Sequence, residues 1–197
     1  MKTIRMLLLG IFCLAQALCA PSAWAVTYAI DPDHSAVTFK IRHLFSNVTG
    51  TFNRFEGTID YEPGKPETWK TQAVIQAASI DTRVEKRDNH LRSKAFFEVE
   101  TYPTIHFTST KVTDVTDKSA KLQGNLTIHG VTKPVVLDLK IHGVGNDPWG
   151  NTRAGFTATT TIDRKEFGIT WNQPVVGGVL LGDDVEITLE VEGLLKK

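Results

Sequence analysis

Cysteine is nearly absent from this chain, and its placement decides what it means. The 197 residues hold two, Cys13 and Cys19. Everything after them lacks a disulfide framework, a thiolate nucleophile and a cysteine metal site. Long apolar runs are equally scarce. One stretches from Met6 to Ala20, interrupted by Gln16, behind Lys2 and Arg5 and ahead of Ala23-Trp24-Ala25. It falls short of the ~20 residues that span a bilayer. A basic start, an apolar stretch and an A-x-A site describe a secretory signal peptide. Cleavage is expected after Ala25, leaving 26–197 as one exported domain. Lipoprotein processing at Cys19 is the weaker alternative, because Leu18 suits that cleavage poorly.

No charge of one sign dominates: the chain balances 22 basic against 22 acidic side chains. No basic run stands out, which argues against a nucleic-acid partner or an attraction to anionic surfaces. Catalytic patterns are missing too. The chain has no G-x-S-x-G elbow, and Asp33-His34-Ser35 are neighbours in sequence, whereas triads assemble in space. Asp183-Asp184 read as a solvated turn before the last strand. Gly177-Gly178 and Gly182 lack the strand and helix that frame a phosphate loop, and read as loop residues. Six histidines lack the i, i+4 spacing of a zinc helix, and His129 and His142 have outward parity, as surface residues would. No metal, no required cofactor and no catalysis are expected.

What is present is alternation. Val37, Phe39 and Ile41 alternate with polar neighbours, as do Leu122, Leu126 and Ile128, then Val135, Leu137, Leu139 and Ile141. The last run, Val185, Ile187, Leu189 and Val191 against Glu186, Thr188, Glu190 and Glu192, is the clearest. Strict period two marks antiparallel strands with one face buried and one wet. Phe55–Tyr61, Gln72–Ile80, Ile105–Val112 and Arg153–Ile162 bring the count to about eight, a barrel or a sandwich. Parity flips between Val48–Phe52 and Phe55–Tyr61, which predicts a bulge at Asn53-Arg54. Turns are expected at Glu62-Pro63-Gly64, Gly130–Pro134 and Gly145–Gly150. One stretch does not alternate: 81–103 reads as an irregular connection with a short helix near 83–97, its mixed charges those of a solvated face. Its Phe96-Phe97 pair is expected to cover a barrel mouth. Small residues of inward parity, Gly57, Ala77, Gly124, Ala154 and Ala158, would leave room for a ligand or simply taper a packed interior. Alternation leaves both open.

A series of motifs adds to this. Asp33-His34-Ser35 leads into Val37–His43, then come Gly50-Thr51-Phe52 and Phe55–Ile59. Ser79-Ile80-Asp81-Thr82 precedes Arg87–Ser93 and Phe96-Phe97, and Tyr102-Pro103 precedes Ile105–Ser109. Gly124–Val135 and Asp163–Ile169 close the set. In this order the chain resembles the YceI-like family of bacterial periplasmic proteins, from about Tyr28 to the C-terminus. The resemblance implies an all-β, eight-stranded antiparallel, lipocalin-like barrel with an elongated apolar pore. It also implies periplasmic binding, transport or storage of a polyisoprenoid, such as an isoprenoid quinone or prenyl pyrophosphate, or of another long amphiphile, with transient membrane contact for release.

On inward parity the pore would be lined by Phe39, Ile41, Phe55, Ile59, Ile75, Phe107, Leu126, Ile128, Leu137, Leu139, Phe156 and Val191. Phe96, Phe97, Phe167 and Trp171 would form its mouth. Arg87, His90 and Arg164 are candidates for a polar head group, since arginine grips phosphate bidentately; local bracing is their competing role. Two rival functions remain, a protein-interaction module without ligand and an enzyme acting on a lipid. The oligomeric state is left open, a homodimer included.

Overall fold

The computed structural model describes residues 26–176 and 178–196. The expected signal peptide, 1–25, lies outside the described residues. Thirteen strands are labelled in chain order: β1 Thr27–Ile30, β2 Ala36–His43, β3 Ser46–Phe52, β4 Phe55–Asp60, β5 Lys70–Gln76, β6 Ile80–Asp81, β7 Thr104–Thr113, β8 Ser119–Ile128, β9 Val131–Asn146, β10 Thr152–Asp163, β11 Pro174–Val175, β12 Gly178–Val179 and β13 Leu181–Leu195. The α-helix α1 spans Glu85–Arg92.

Eleven of these strands make eight staves, and β11 and β12 form a separate hairpin. β1 and β2 are one stave, because both pair with β13. β3 and β4 are a second, meeting β2 and β1 respectively, and β5 and β6 are a third, meeting β4 and β3. β7, β8, β9, β10 and β13 complete an all-antiparallel meander in sequence order, and the pairing of β13 with β1 closes it. Closure consumes the exposed edges that would otherwise recruit another strand.

The first three staves break side by side. In the first, Asp31 accepts from Asp33 N at 3.1 Å and caps a 3-10 turn, Pro32–His34. In the second, Asn53 and Arg54 leave the ladder, at the parity flip expected from sequence. In the third, Ala77–Ser79 form a 3-10 turn inside the expected Gln72–Ile80 strand. Cross-links stitch the second break to the third: Asn53 N donates to Ser79 O at 3.1 Å and Gln76 N to Arg54 O at 2.9 Å. Kinks aligned in this way bend the sheet and let it close.

Several turns differ from expectation. The β8–β9 connection is His129-Gly130 alone, with φ of 51° and 73°, the left-handed pair of a tight hairpin turn. Pro134 therefore lies inside β9, opposite Asn125. Counting from the Ile128–Val131 closing pair, position 134 is a non-hydrogen-bonded pair, so its missing N–H faces away from β8. Pairing of β9 with β10 begins only at Asp138, and no ladder bond is lost. His129 is not a surface strand histidine. Its ring packs 4.6 Å from that of Tyr102, and its Nε2 is buried without a hydrogen-bond partner among the described residues, 3.6 Å from Glu98 Oε2. Asp183, Asp184 and Gly182 belong to β13 rather than to a turn or loop.

The core divides along the barrel axis. Toward one end Tyr28, Ile59, Tyr61, Trp69, Ala154 and Phe156 pack together. Toward the other, Phe52, Ile80, Phe96, Ile105, Leu126, Ile128, Phe167 and Ile169 do so. Most of the inward small residues do not leave room for a ligand. Gly124 seats the Phe107 ring, Gly57 lies against Ile30 and the backbone at Gln72, and Ala77 and Ala154 are packed solid. Ala158 borders open space.

Candidate functional site

That space is a cavity of about 360 Å³ inside the barrel, within the roughly 300–1,000 Å³ range of small-molecule pockets. It runs from Tyr61 and Trp69 at the deep end to His90, Phe96 and Trp171 at the mouth. Its wall follows from period two: every second residue of each stave points inward, and most of those positions are apolar, with Thr71 and Thr160 as exceptions. Phe39 and Ile41 come from β2, Phe55 and Ile59 from β4, Ile75 from β5 and Phe107 from β7. Leu126 and Ile128 come from β8, Leu137 and Leu139 from β9, Phe156 from β10 and Val191 from β13; all twelve line the cavity. The four mouth candidates, Phe96, Phe97, Phe167 and Trp171, border it as well.

Sequence reasoning missed other walls. Phe52, Ile80, Leu91, Ile105 and Ile169 line the upper part, and Tyr61 and Trp69 the floor. Phe52 and Ile105 carry the same alternation and were legible. Tyr61 keeps the parity of Phe55 and Ile59 and was legible too; Trp69 was not, because it precedes β5 and continues no alternation. Tyr61 packs 4.8 Å from Trp69 and 5.0 Å from Phe156, ring centre to ring centre. The indole Nε1 donates to Glu62 O at 2.8 Å. Burial pushes the Tyr61 phenol above its ordinary pKa, so it stays neutral.

The mouth is bordered by Arg87, His90 and Leu91 of α1, by Trp171, Leu180 and Leu181, and by His43 at the end of β2. His90 stands edge-on to Phe96 and Trp171, with ring centres 5.0 and 4.9 Å away. Phe97 stands edge-on to Phe52 at 5.7 Å. Asn172 straps the connection down by donating Nδ2 to Leu181 O at 2.6 Å and accepting from Leu181 N at 3.0 Å.

The three head-group candidates fare differently. Arg164 is 4% exposed. Its guanidinium donates to Gly182 O, Ile169 O, Trp171 O and Asp183 Oδ1 at 2.8–3.1 Å. It is a brace that fixes the mouth connection, with little capacity left for a ligand. Arg87 donates Nε to Thr82 Oγ1 at 2.7 Å and Nη2 to Thr82 O at 2.9 Å. Thr82 is held in turn by the buried Asp88 carboxylate, which accepts from Thr82 N at 2.9 Å. Nη1 of Arg87 has no hydrogen-bond partner among the described residues. His90 is exposed at the rim. Arg87 and His90 thus bring polar capacity to an otherwise apolar opening.

Chemistry fares less well. Ser35 Oγ accepts from Glu192 N at 3.0 Å, and His34 Nδ1 pairs with Asp31 at 2.8 Å. Asp31, His34 and Glu192 do bring three potential metal-ligand atoms within 4.8 Å. Arg153 Nη1, however, lies 2.6 Å from both carboxylates, and a fixed cation there opposes a metal ion.

A closed eight-stave meander around one apolar cavity, with a mouth rimmed by a short helix, defines the small pocketed antiparallel barrels. Within that class the chain belongs to the YceI-like family, whose domain matches residues 28–193. It is 38% identical to a UPF0312 protein of Pseudomonas savastanoi, covering 100% of this chain and 98% of that one. The crystal structure of the Campylobacter jejuni YCEI protein superposes with a TM-score of 0.70 at 36% identity, covering 80% of this chain and 91% of that one. A polyisoprenoid binding domain from Saccharophagus degradans shares the fold at a TM-score of 0.68 and 15% identity, covering 87% of this chain and 99% of that one.

Proposed function

We propose that the chain is a non-catalytic periplasmic protein that binds a long-chain isoprenoid lipid, a quinone or a prenyl pyrophosphate, and carries or stores it. The observation that carries this reading is the cavity, whose apolar wall is continuous from stave to stave. Each methylene moved from water into such a wall contributes ~0.8 kcal/mol, so a prenyl tail gains strongly by entering. The Saccharophagus domain, described as binding polyisoprenoid, lends support through its shared fold. Export rests on the basic, apolar and A-x-A order of the first 25 residues. The tail would point to Tyr61 and Trp69, and the head would meet Arg87 and His90.

Protein purified from its own periplasm, analysed by native mass spectrometry with lipid extraction, should carry an isoprenoid at near-stoichiometric occupancy. Ala158→Phe, which fills the cavity beside Leu139 and Leu189, should lose it while remaining folded. A clean apo mass with no uptake of added quinone or prenyl lipid would overturn the proposal. Head-group recognition has its own readout. Arg87→Ala should lower the preference for prenyl pyrophosphate over the matching alcohol by roughly tenfold, about 1.4 kcal/mol, with alcohol affinity unchanged.

A further inference from the structure

The mouth carries two apolar tips that nothing among the described residues covers. Phe45, in the β2–β3 turn, is 91% exposed, and Val176, at the tip of the β11–β12 hairpin, is fully exposed. They stand on the same rim. Leu44 N donates to Leu180 O at 3.0 Å, and Leu180 N to Gln173 O at 3.0 Å, so the turn is strapped to the base of the hairpin. His43, Leu180 and Leu181, at the feet of the turn and the hairpin, line the cavity as Trp171 does.

The turn is built against local preference. His43 and Ser46 close a two-residue loop of Leu44-Phe45, and Leu44 adopts φ 46°. Tight hairpins favour Gly, Asn or Asp where φ is positive. A leucine there is strained, and the chain spends the exposed position beside it on phenylalanine. Strain and exposure together at a mouth point to a contact outside the molecule.

Charge says what kind. The segment from Arg83 to Lys94, which holds α1 against the opening, carries five basic and two acidic side chains. Of the two acids, Asp88 is buried and turned onto Thr82. Lys86, one helical turn before the His90 that packs on Trp171, is exposed, as is Arg42 next to the β2–β3 turn. In sequence these cations look like a mixed, solvated helix face. The fold sets these two cations at the same end of the barrel as the two apolar tips, the combination that seats a protein shallowly on an anionic bilayer.

We propose that the rim bearing Phe45 and Val176 docks on the surface of an anionic phospholipid bilayer, with the cavity mouth facing the lipid. This rests on the lipid-binding reading above, since docking at this end gives a tail a route that avoids water.

Co-sedimentation of the full mature chain with phosphatidylethanolamine–phosphatidylglycerol vesicles tests it, with pure phosphatidylcholine vesicles as the uncharged comparison. Wild type should bind the anionic vesicles at least fivefold better, and less so at high salt. F45S/V176S should lose most of that binding, whereas Trp149→Ser, at the exposed β9–β10 turn, should keep it. Uptake of the apolar fluorophore N-phenyl-1-naphthylamine in the absence of vesicles should be the same for all three proteins. Unchanged vesicle binding by F45S/V176S overturns the proposal. So does vesicle-free self-association that the same pair abolishes, which would make a second copy the occupant. Vesicle binding without fluorophore uptake by wild type would instead count against the cavity reading and leave docking standing.

Discussion

Arg164 and Arg87 look alike in sequence, each beside an aspartate, yet do different work. Arg164 gives its donors to three carbonyls and Asp183. Burial lowers its pKa from the usual arginine value, and the nearby Asp183 and Asp163 charges oppose that shift. Arg164→Met should cost about 1–3 kcal/mol, because it leaves carbonyls at the mouth without their donors; urea unfolding would measure it. Gly124 is a second residue-scale device. A Cβ there would overlap the Phe107 ring and the Thr108 carbonyl, so Gly124→Ala should destabilise by about 1–3 kcal/mol, again read from the urea midpoint. The glycine exists to seat a ring from the neighbouring strand.

Between elements, Arg153 of β10 ties the break of the first stave to β13 and to the β9–β10 turn. It pairs with Asp31 and Glu192 at 2.6 Å and with Asp147 at 2.9 Å. Hydrogen bonds from Arg153, foremost among several, hold the Asp31 and Asp147 carboxyls below the usual carboxylate range. A carboxylate with a depressed folded-state pKa stabilises the fold above its unfolded value, near ~4, and that contribution fades as pH falls toward the lowered value. Arg153→Met should therefore unfold at lower urea than wild type at neutral pH. The gap between the two should narrow as pH drops below about 4, a trend that paired urea titrations would follow.

For the whole molecule, the two tryptophans that border the cavity report on its contents. Trp69 lies at the floor and Trp171 at the mouth, whereas Trp149 is 79% exposed. A quinone in the barrel should quench the first two and spare the third, which single Trp→Phe variants would separate. Bound lipid should also raise stability by mass action, about 2.7 kcal/mol at a free concentration a hundredfold above Kd. Thermal midpoints across a lipid titration would show this, and Ala158→Phe should flatten the response.

Alternation alone determined most of the strands and which residues face inward, from Phe39 to Val191, and left open whether those faces enclose a cavity. Period two couples sequence parity directly to one side of a sheet, which is why those residues could be named without coordinates. The parity flip likewise exposed the break at Asn53-Arg54. Only the tertiary structure decided what lies across from each residue. It turned Gly124 from spare room into a seat for Phe107, and made Arg164 a brace rather than a ligand group. It placed Asp183 in a strand, drew His129 off the surface and strapped the exposed Phe45 turn to the base of the hairpin that carries Val176. These are long-range pairings. They depend on the stagger of the closed barrel, and no local pattern along the chain encodes that stagger.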